Sequence, residues 1–286
     1  MDQRIIELYD EYTHAPLDRR VFLARLARLT GSAAAALAAV PFLECNYAHA
    51  ATVPADDPRL DTRRTTYPGA TGEIKAYMAR PKGASKLPAV VVIHENRGLN
   101  PHIEDVTRRV GLEGFLALGP DLLSPMGGTP ANEDTARDMI YKLDRKQMVQ
   151  NLIFAVSFLK KHANGNGKVG VIGFCWGGGP VGELAVNAPD LDAAVVYYGE
   201  QPKAAEVVKI KAPLLLHYAG LDGRINAGIP AFVDALNENN KKYTMYMYEG
   251  ANHAFNNDTS AARYHKQAAE QAWSRTIAFL NDNLKD

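Results

Sequence analysis

The chain has 286 residues, 47% of them hydrophobic, with 32 Lys and Arg balanced by 32 Asp and Glu. That length supports one sizeable buried core, and zero formal net charge argues against a general nucleic-acid binder, which needs a basic face. With only two cysteines, Cys45 and Cys175, a disulfide framework or a cysteine-rich zinc module is excluded.

The first fifty residues stand apart. Asp18-Arg19-Arg20-Val21-Phe22-Leu23 is a twin-arginine pair ahead of apolar residues, a weakly hydrophobic Ala-rich run follows to Leu43, and Ala48-His49-Ala50 is a small-x-small cleavage site. These features predict an export signal over residues 1–50, the twin-arginine machinery as partner of the precursor, cleavage after Ala50 and a periplasmic mature chain. The competing reading is an amphipathic N-terminal helix that stays with the domain, in which case the protein is cytoplasmic. Arg28 and Gly31 interrupt the apolar run, so no stable membrane insertion is expected. Glu44 before Cys45 is the wrong neighbour for a lipidation site. Cutting after Ala50 leaves Cys175 as the single cysteine, a thiol without an internal disulfide partner.

Residues 51–70 are expected to form a polar, proline-containing arm, and residues 71–286 a single domain. In the latter, strand and helix patterns alternate. Strands are predicted at Glu73–Ala79, Ala89–His94, Phe115–Gly119, Ala193–Tyr198, Pro213–Ala219 and Tyr243–Tyr248. Helices are predicted at Ile103–Glu113, Glu133–Lys161 and Ile229–Asn239, with a closing helix capped by Ser260 that buries Trp273, Ile277 and Leu280. The alternation implies an α/β fold with a mostly parallel central sheet and helices on both faces.

Between the third and fourth of these strands lies Lys168-Val169-Gly170-Val171-Ile172-Gly173-Phe174-Cys175-Trp176-Gly177-Gly178-Gly179, an apolar β-branched run that bends at Cys175 and continues into a helical pattern. A nucleophile on a sharp strand-to-helix turn needs small residues two positions either side, and Gly173 and Gly177 supply them. The glycines do not fit a dinucleotide-binding G-x-G-x-x-G register. Functional groups of open α/β sheets gather beyond the carboxyl ends of the strands. There the chain places Asp222, in Gly-Leu-Asp-Gly, and His253, in Asn-His-Ala-Phe. Cys175, Asp222 and His253 thus follow the nucleophile, acid, histidine order of an α/β-hydrolase fold. The amides of Trp176 and Asn96 are the expected oxyanion donors, and Glu95 aims a carboxylate at the same crevice. His217 within a strand run reads as a satisfied core histidine, while His14 and His49 belong to the proposed leader. His94 and His102 flank one loop, but no cluster has metal-ligand spacing. Thiol, imidazole and carboxylate need no cofactor.

Gly-Phe-Cys-Trp-Gly-Gly, Glu95 at the end of a buried strand, Asp222 and His253-Ala-Phe together resemble the dienelactone hydrolase family from about Thr71 to the C-terminus. The resemblance implies that Cys175 attacks an ester or lactone carbonyl, that His253 is the base held by Asp222, that Glu95 helps to activate the thiol, and that water releases an acyl-enzyme. It also implies anion binding by Arg137 and Tyr141, one helical turn apart in Arg-x-x-x-Tyr. The chain departs from the family's His-Ser-Phe-x-Arg at Asn257, which removes one substrate-binding arginine and argues against dienelactone itself. The competing reading of the same fold is a non-catalytic small-anion-binding protein.

Overall fold

The computed structural model describes residues 1–15, 17–46 and 52–285; the Ala48-His49-Ala50 cleavage motif lies outside them. The order of elements is α1 (Gln3–His14), α2 (Arg19–Thr30), α3 (Ala33–Leu43), β1 (Leu60–Gly69), β2 (Gly72–Pro81), β3 (Leu87–Ile93), α4 (Pro101–Leu112), β4 (Leu116–Pro120), α5 (Glu133–Ile140), α6 (Arg145–Lys160), β5 (Gly165–Phe174), α7 (Gly178–Asn187), β6 (Ala193–Tyr197), β7 (Leu214–Ala219), α8 (Gly223–Asn226), α9 (Ile229–Glu238), β8 (Tyr243–Tyr248) and α10 (Lys266–Leu284).

Eight strands form one sheet in the order β1-β2-β4-β3-β5-β6-β7-β8. From β4 to β8 the pairing is parallel, and β1 and β2 join it antiparallel. The alternation of side chains along β3 sends Ala89, Val91 and Ile93 into a core shared with α6, α7 and α9, and Val90 and Val92 into one shared with α4 and α10. Burial on both faces is why this strand is continuously apolar.

Three expectations change in detail. Residues 60–69, expected within the polar arm, form the edge strand β1; its partner β2 supplies the apolar face, so a polar sequence suffices. The single helix expected over Glu133–Lys161 is two, because the Asp144 side chain accepts from the Gln147 amide and caps α6 at a new start. Ser260 does not cap the closing helix. His265 does, accepting from the Ala268 amide, while Ser260 is buried and accepts from Arg263.

The N-terminal residues fold onto the domain. Helices α1 to α3 enclose a small core of Leu8, Tyr9, Tyr12, Phe22, Leu26, Val40 and Leu43. The twin-arginine pair opens α2, where Asp18 caps the Arg20 amide and Arg19 pairs with Glu44 at 3.2 Å and Asp134 at 3.3 Å. No single described helix is long and apolar enough to cross a membrane; α2 and α3 together meet that criterion but are bent by 109°.

Candidate active site

Cys175 sits at the carboxyl end of β5, in a one-turn 3-10 helix over Cys175–Gly177 that leads into α7. Its φ is +54°, in the left-handed region. The glycines around it meet the predicted steric need: a Cβ on Gly173 would strike the Gly177 carbonyl, and one on Gly177 would come within 2.5 Å of the His94 carbonyl oxygen. Tyr198 and Ala254, which flank His253, also have positive φ, so backbone strain concentrates here.

The loops after β7 and β8 bring the expected partners to the sulfur. His253 Nε2 lies 3.1 Å from Cys175 Sγ, and His253 Nδ1 lies 2.5 Å from Asp222 Oδ2. Asp222 accepts from the Ile225 amide through its other oxygen, which fixes the carboxylate. Thiol, imidazole and carboxylate are all buried.

The structure adds a residue that the sequence did not single out. His14, at the end of α1, places Nε2 3.1 Å from the same sulfur, and its ring meets that of His253 edge-on with centroids 4.6 Å apart. His14 Nδ1 faces the Asp10 carbonyl at 2.9 Å and Asp10 Oδ1 at 3.1 Å. Arg224 in turn donates to Asp10 Oδ2 at 3.1 Å. Two acid–imidazole arms, Asp222–His253 and Asp10–His14, therefore converge on one thiol. The only local hint is the i, i+4 spacing of Asp10 and His14 on one helical face; the 161-residue separation from Cys175 is invisible to any motif.

Burial opposes ionisation of Cys175, but the charges of His14 and His253 and their hydrogen bonds outweigh it and bring the thiol down to about 6. Burial likewise opposes the His253 imidazolium, and the Cys175, Asp10 and Asp222 charges override it, raising the ring to about 10. His14 moves upward for the same balance of reasons, with Cys175 and Asp10 as its partners. Desolvation works against the Asp222 carboxylate, yet His253 holds it below its usual range.

Glu95 is buried; Asn257 donates to its Oε2 at 2.6 Å, and its Oε1 has no hydrogen-bond partner among the described residues. Asn257, the departure from the family pattern, thus orients the carboxylate expected to act on the thiol. Arg263, from beyond that loop, is buried and lines the same small cavity as Glu95 and Cys175, with its guanidinium over the Tyr9 ring at 5.0 Å. Trp176 follows Cys175 and stacks on His94 at 5.4 Å.

Asn96, Arg137 and Tyr141 all engage the end of α1. Asn96 Nδ2 donates to the Thr13 carbonyl at 2.8 Å, the Tyr141 hydroxyl to the same oxygen at 3.3 Å, and Arg137 to the Tyr12 carbonyl at 3.3 Å. The two side chains expected to bind substrate, Arg137 and Tyr141, hold main-chain oxygens of α1, as does the side chain of Asn96, whose backbone amide is the expected oxyanion donor. What remains beside Cys175 is a cavity of about 20 Å³, room for roughly one water-sized sphere. A wider cleft of about 400 Å³ opens on the outer side of His14 and His253.

His217 is a satisfied core residue as expected, bonded to the Tyr248 hydroxyl at 3.0 Å and Thr276 at 3.1 Å. His94 and His102 do not converge: one bonds the Glu95 carbonyl at 2.7 Å and the other faces Asp258 at 3.4 Å.

Comparison with known proteins matches residues 74–284 to the model of the dienelactone hydrolase family, and residues 1–33 to a short model described as YqhI-like. A protein of Saccharolobus solfataricus named as a carboxymethylenebutenolidase is 35% identical over 73% of this chain and 93% of its own length. One of a Bradyrhizobium species, named as a 2-oxo-3-(5-oxofuran-2-ylidene)propanoate lactonase, is 31% identical over 76% of this chain and 92% of its own. A solved structure from Klebsiella pneumoniae, described as a dienelactone hydrolase, superposes with a TM-score of 0.70 at 30% identity, covering 77% of this chain and 98% of that one.

Proposed function

Because the chain belongs to the dienelactone hydrolase family and is a hydrolase of that type, we propose that it cleaves a small carboxylic ester or lactone through a thioester on Cys175. The observation that carries this reading is the strained, buried thiol 3.1 Å from His253 Nε2, with that ring's other nitrogen 2.5 Å from Asp222. The thiolate attacks the carbonyl carbon, and the oxyanion that forms is received by the amides of Trp176 and Asn96. His253, protonated in the resting ion pair, gives its Nε2 proton to the leaving alkoxide; in a lactone that alkoxide stays tethered to the acyl chain. The neutral ring then takes a proton from water, which attacks the thioester and releases the carboxylic acid, whose proton passes to solvent, and the thiolate is regenerated. Asp222 keeps Nδ1 protonated throughout. Glu95 Oε1, without a hydrogen-bond partner among the described residues, is the acceptor for any thiol proton before substrate arrives.

The 20 Å³ beside Cys175 does not admit an acyl group, so the fold with α1 seated is the closed form and turnover requires α1 to leave. The twin-arginine reading of residues 1–50 supplies one route: export and cleavage after Ala50 remove α1 with the leader. A resident cap that swings away supplies the other. Incubation with p-nitrophenyl acetate and simple lactones, followed by mass spectrometry of the purified cellular protein, tests the reading. An acyl adduct on Cys175 is the expected result, and the intact mass distinguishes the two routes. Esterase activity retained by Cys175→Ala would refute the mechanism.

A further inference from the structure

The Asp10–His14 arm leaves two rings aimed at one sulfur. Nδ1 of His14 lies beside the Asp10 carbonyl, Thr13 Oγ1 and Asp10 Oδ1, and Nδ1 of His253 faces Asp222, so Nε2 is the nitrogen each ring presents to Cys175 Sγ. Positive charge belongs between a thiolate and two such nitrogens, and either a proton on each Nε2 or one metal cation supplies it.

We propose that Cys175, His14 and His253 form a three-ligand site for one thiophilic d10 metal ion, Zn²⁺ in the first instance, in the closed chain that retains α1. Their donor atoms all lie within 4.8 Å of one another, and one thiolate with two imidazoles is a donor set suited to zinc. Each imidazole already has the carboxylate behind it that metal-bound histidines recruit, Asp222 behind His253 and Asp10 behind His14. Bond lengths of about 2.3 Å to sulfur and about 2.05 Å to nitrogen in a tetrahedron separate the two by roughly 3.6 Å. The present separations are 3.1 Å, so each ring withdraws by about half an ångström to admit the ion. The adjoining 20 Å³ cavity has room for a water as the fourth ligand. On binding, each Nε2 exchanges any proton it carries for a bond to the metal, sulfur binds as thiolate, and the displaced protons pass to solvent. The occupied site ties α1 to the nucleophile, so the metal locks the closed form. No part of this depends on ester hydrolysis.

Cobalt(II) tests it on reduced, metal-free protein whose mass confirms that residues 1–286 are retained. One Co²⁺ per chain is expected, with a thiolate-to-cobalt charge-transfer band in the near ultraviolet that Zn²⁺ abolishes. Cys175→Ser loses the band and Cys45→Ser keeps it. His14→Gln weakens Co²⁺ binding by at least tenfold, and Asp10→Asn by about 10- to 100-fold. Thermal melts verify that the variants fold; if His14→Gln does not, Asp10→Asn decides. Absence of the band in the wild type leaves protons alone between the groups and overturns the proposal. So does unchanged affinity in folded His14→Gln or in Asp10→Asn, or a band that follows Cys45. Because the readout is spectroscopic, each of these results leaves the acyl-enzyme experiment standing.

Discussion

Removing His14 should raise the pKa of Cys175 measurably without unfolding the domain. With its thiol at about 6 rather than the ordinary 9, Cys175 is about nine-tenths thiolate at pH 7, against about one-hundredth for an ordinary thiol. That difference corresponds to about 4 kcal/mol of preference for the charged form. His14 provides the first of the charges that lower it, ahead of His253. An opposite charge at contact distance moves a neighbour by about 1 to 3 pH units, so the His14→Gln midpoint should lie that far above the wild type. The sign follows from the direction: the thiolate is present above the folded value and lost as pH falls through it. Thiolate absorbance in the far ultraviolet, recorded against pH with Cys175→Ser as baseline, measures both midpoints on metal-free protein. A wild-type midpoint above about 8 would refute the ion-pair account. A His14→Gln midpoint equal to or below the wild type would show that the second imidazole does not act on the sulfur.

Cys175→Ala should abolish turnover, and Asp222→Asn should lower kcat by about 10²- to 10⁴-fold, read in a steady-state ester assay on uncapped enzyme. In single-turnover measurements across pH on uncapped enzyme, which has lost His14 and Asp10 from the site, the acidic limb of acylation should lie above the closed-form Cys175 value of about 6 and the alkaline limb below the closed-form His253 value of about 10. Phe22→Ala, which empties the centre of the small core around α1, should cost that subunit of structure about 3–5 kcal/mol. The resulting rise in iodoacetamide modification of Cys175, with little change in the main melting transition, reports opening of α1. Gly177→Ala forces Cβ onto the His94 carbonyl and should yield a chain with a much lower melting temperature or none in soluble form.

The body of the fold was legible because its strands are buried on both faces: Val90 to Val92 and Val169 to Ile172 have no other stable fate, and the glycines at 173 and 177 announce the bend at Cys175. Cys175, Asp222 and His253 could be named because each follows a strand end, and the sheet carries those ends to one place. The part that stayed hidden depends on pairing between distant segments. His14 gains its meaning only when α1 docks across the mouth of the sheet, and Arg263 only when the loop after β8 turns it inward. Edge strand β1 escaped notice because its outward residues answer to solvent, and Ser260 looked like a cap because its chemistry suits one while His265 takes the role. Arg137 and Tyr141 were expected one helical turn apart on one face; Arg137 lies in α5 and Tyr141 caps its end, and both meet main-chain oxygens of α1 in the folded chain.

The contacts that seat α1 carry a consequence for the order of events in synthesis. Gln3 is joined to Asn252 across 249 positions, and His14 to Cys175 across 161. Helix α1 is made long before the loop bearing Asn252 and His253 and cannot find its place until that loop exists. Until then the Arg19-Arg20 segment beside it is presented without a seated α1. Any receptor for that segment competes with folding in time rather than with the finished contacts, and slowing the completion of the last strand would widen its window.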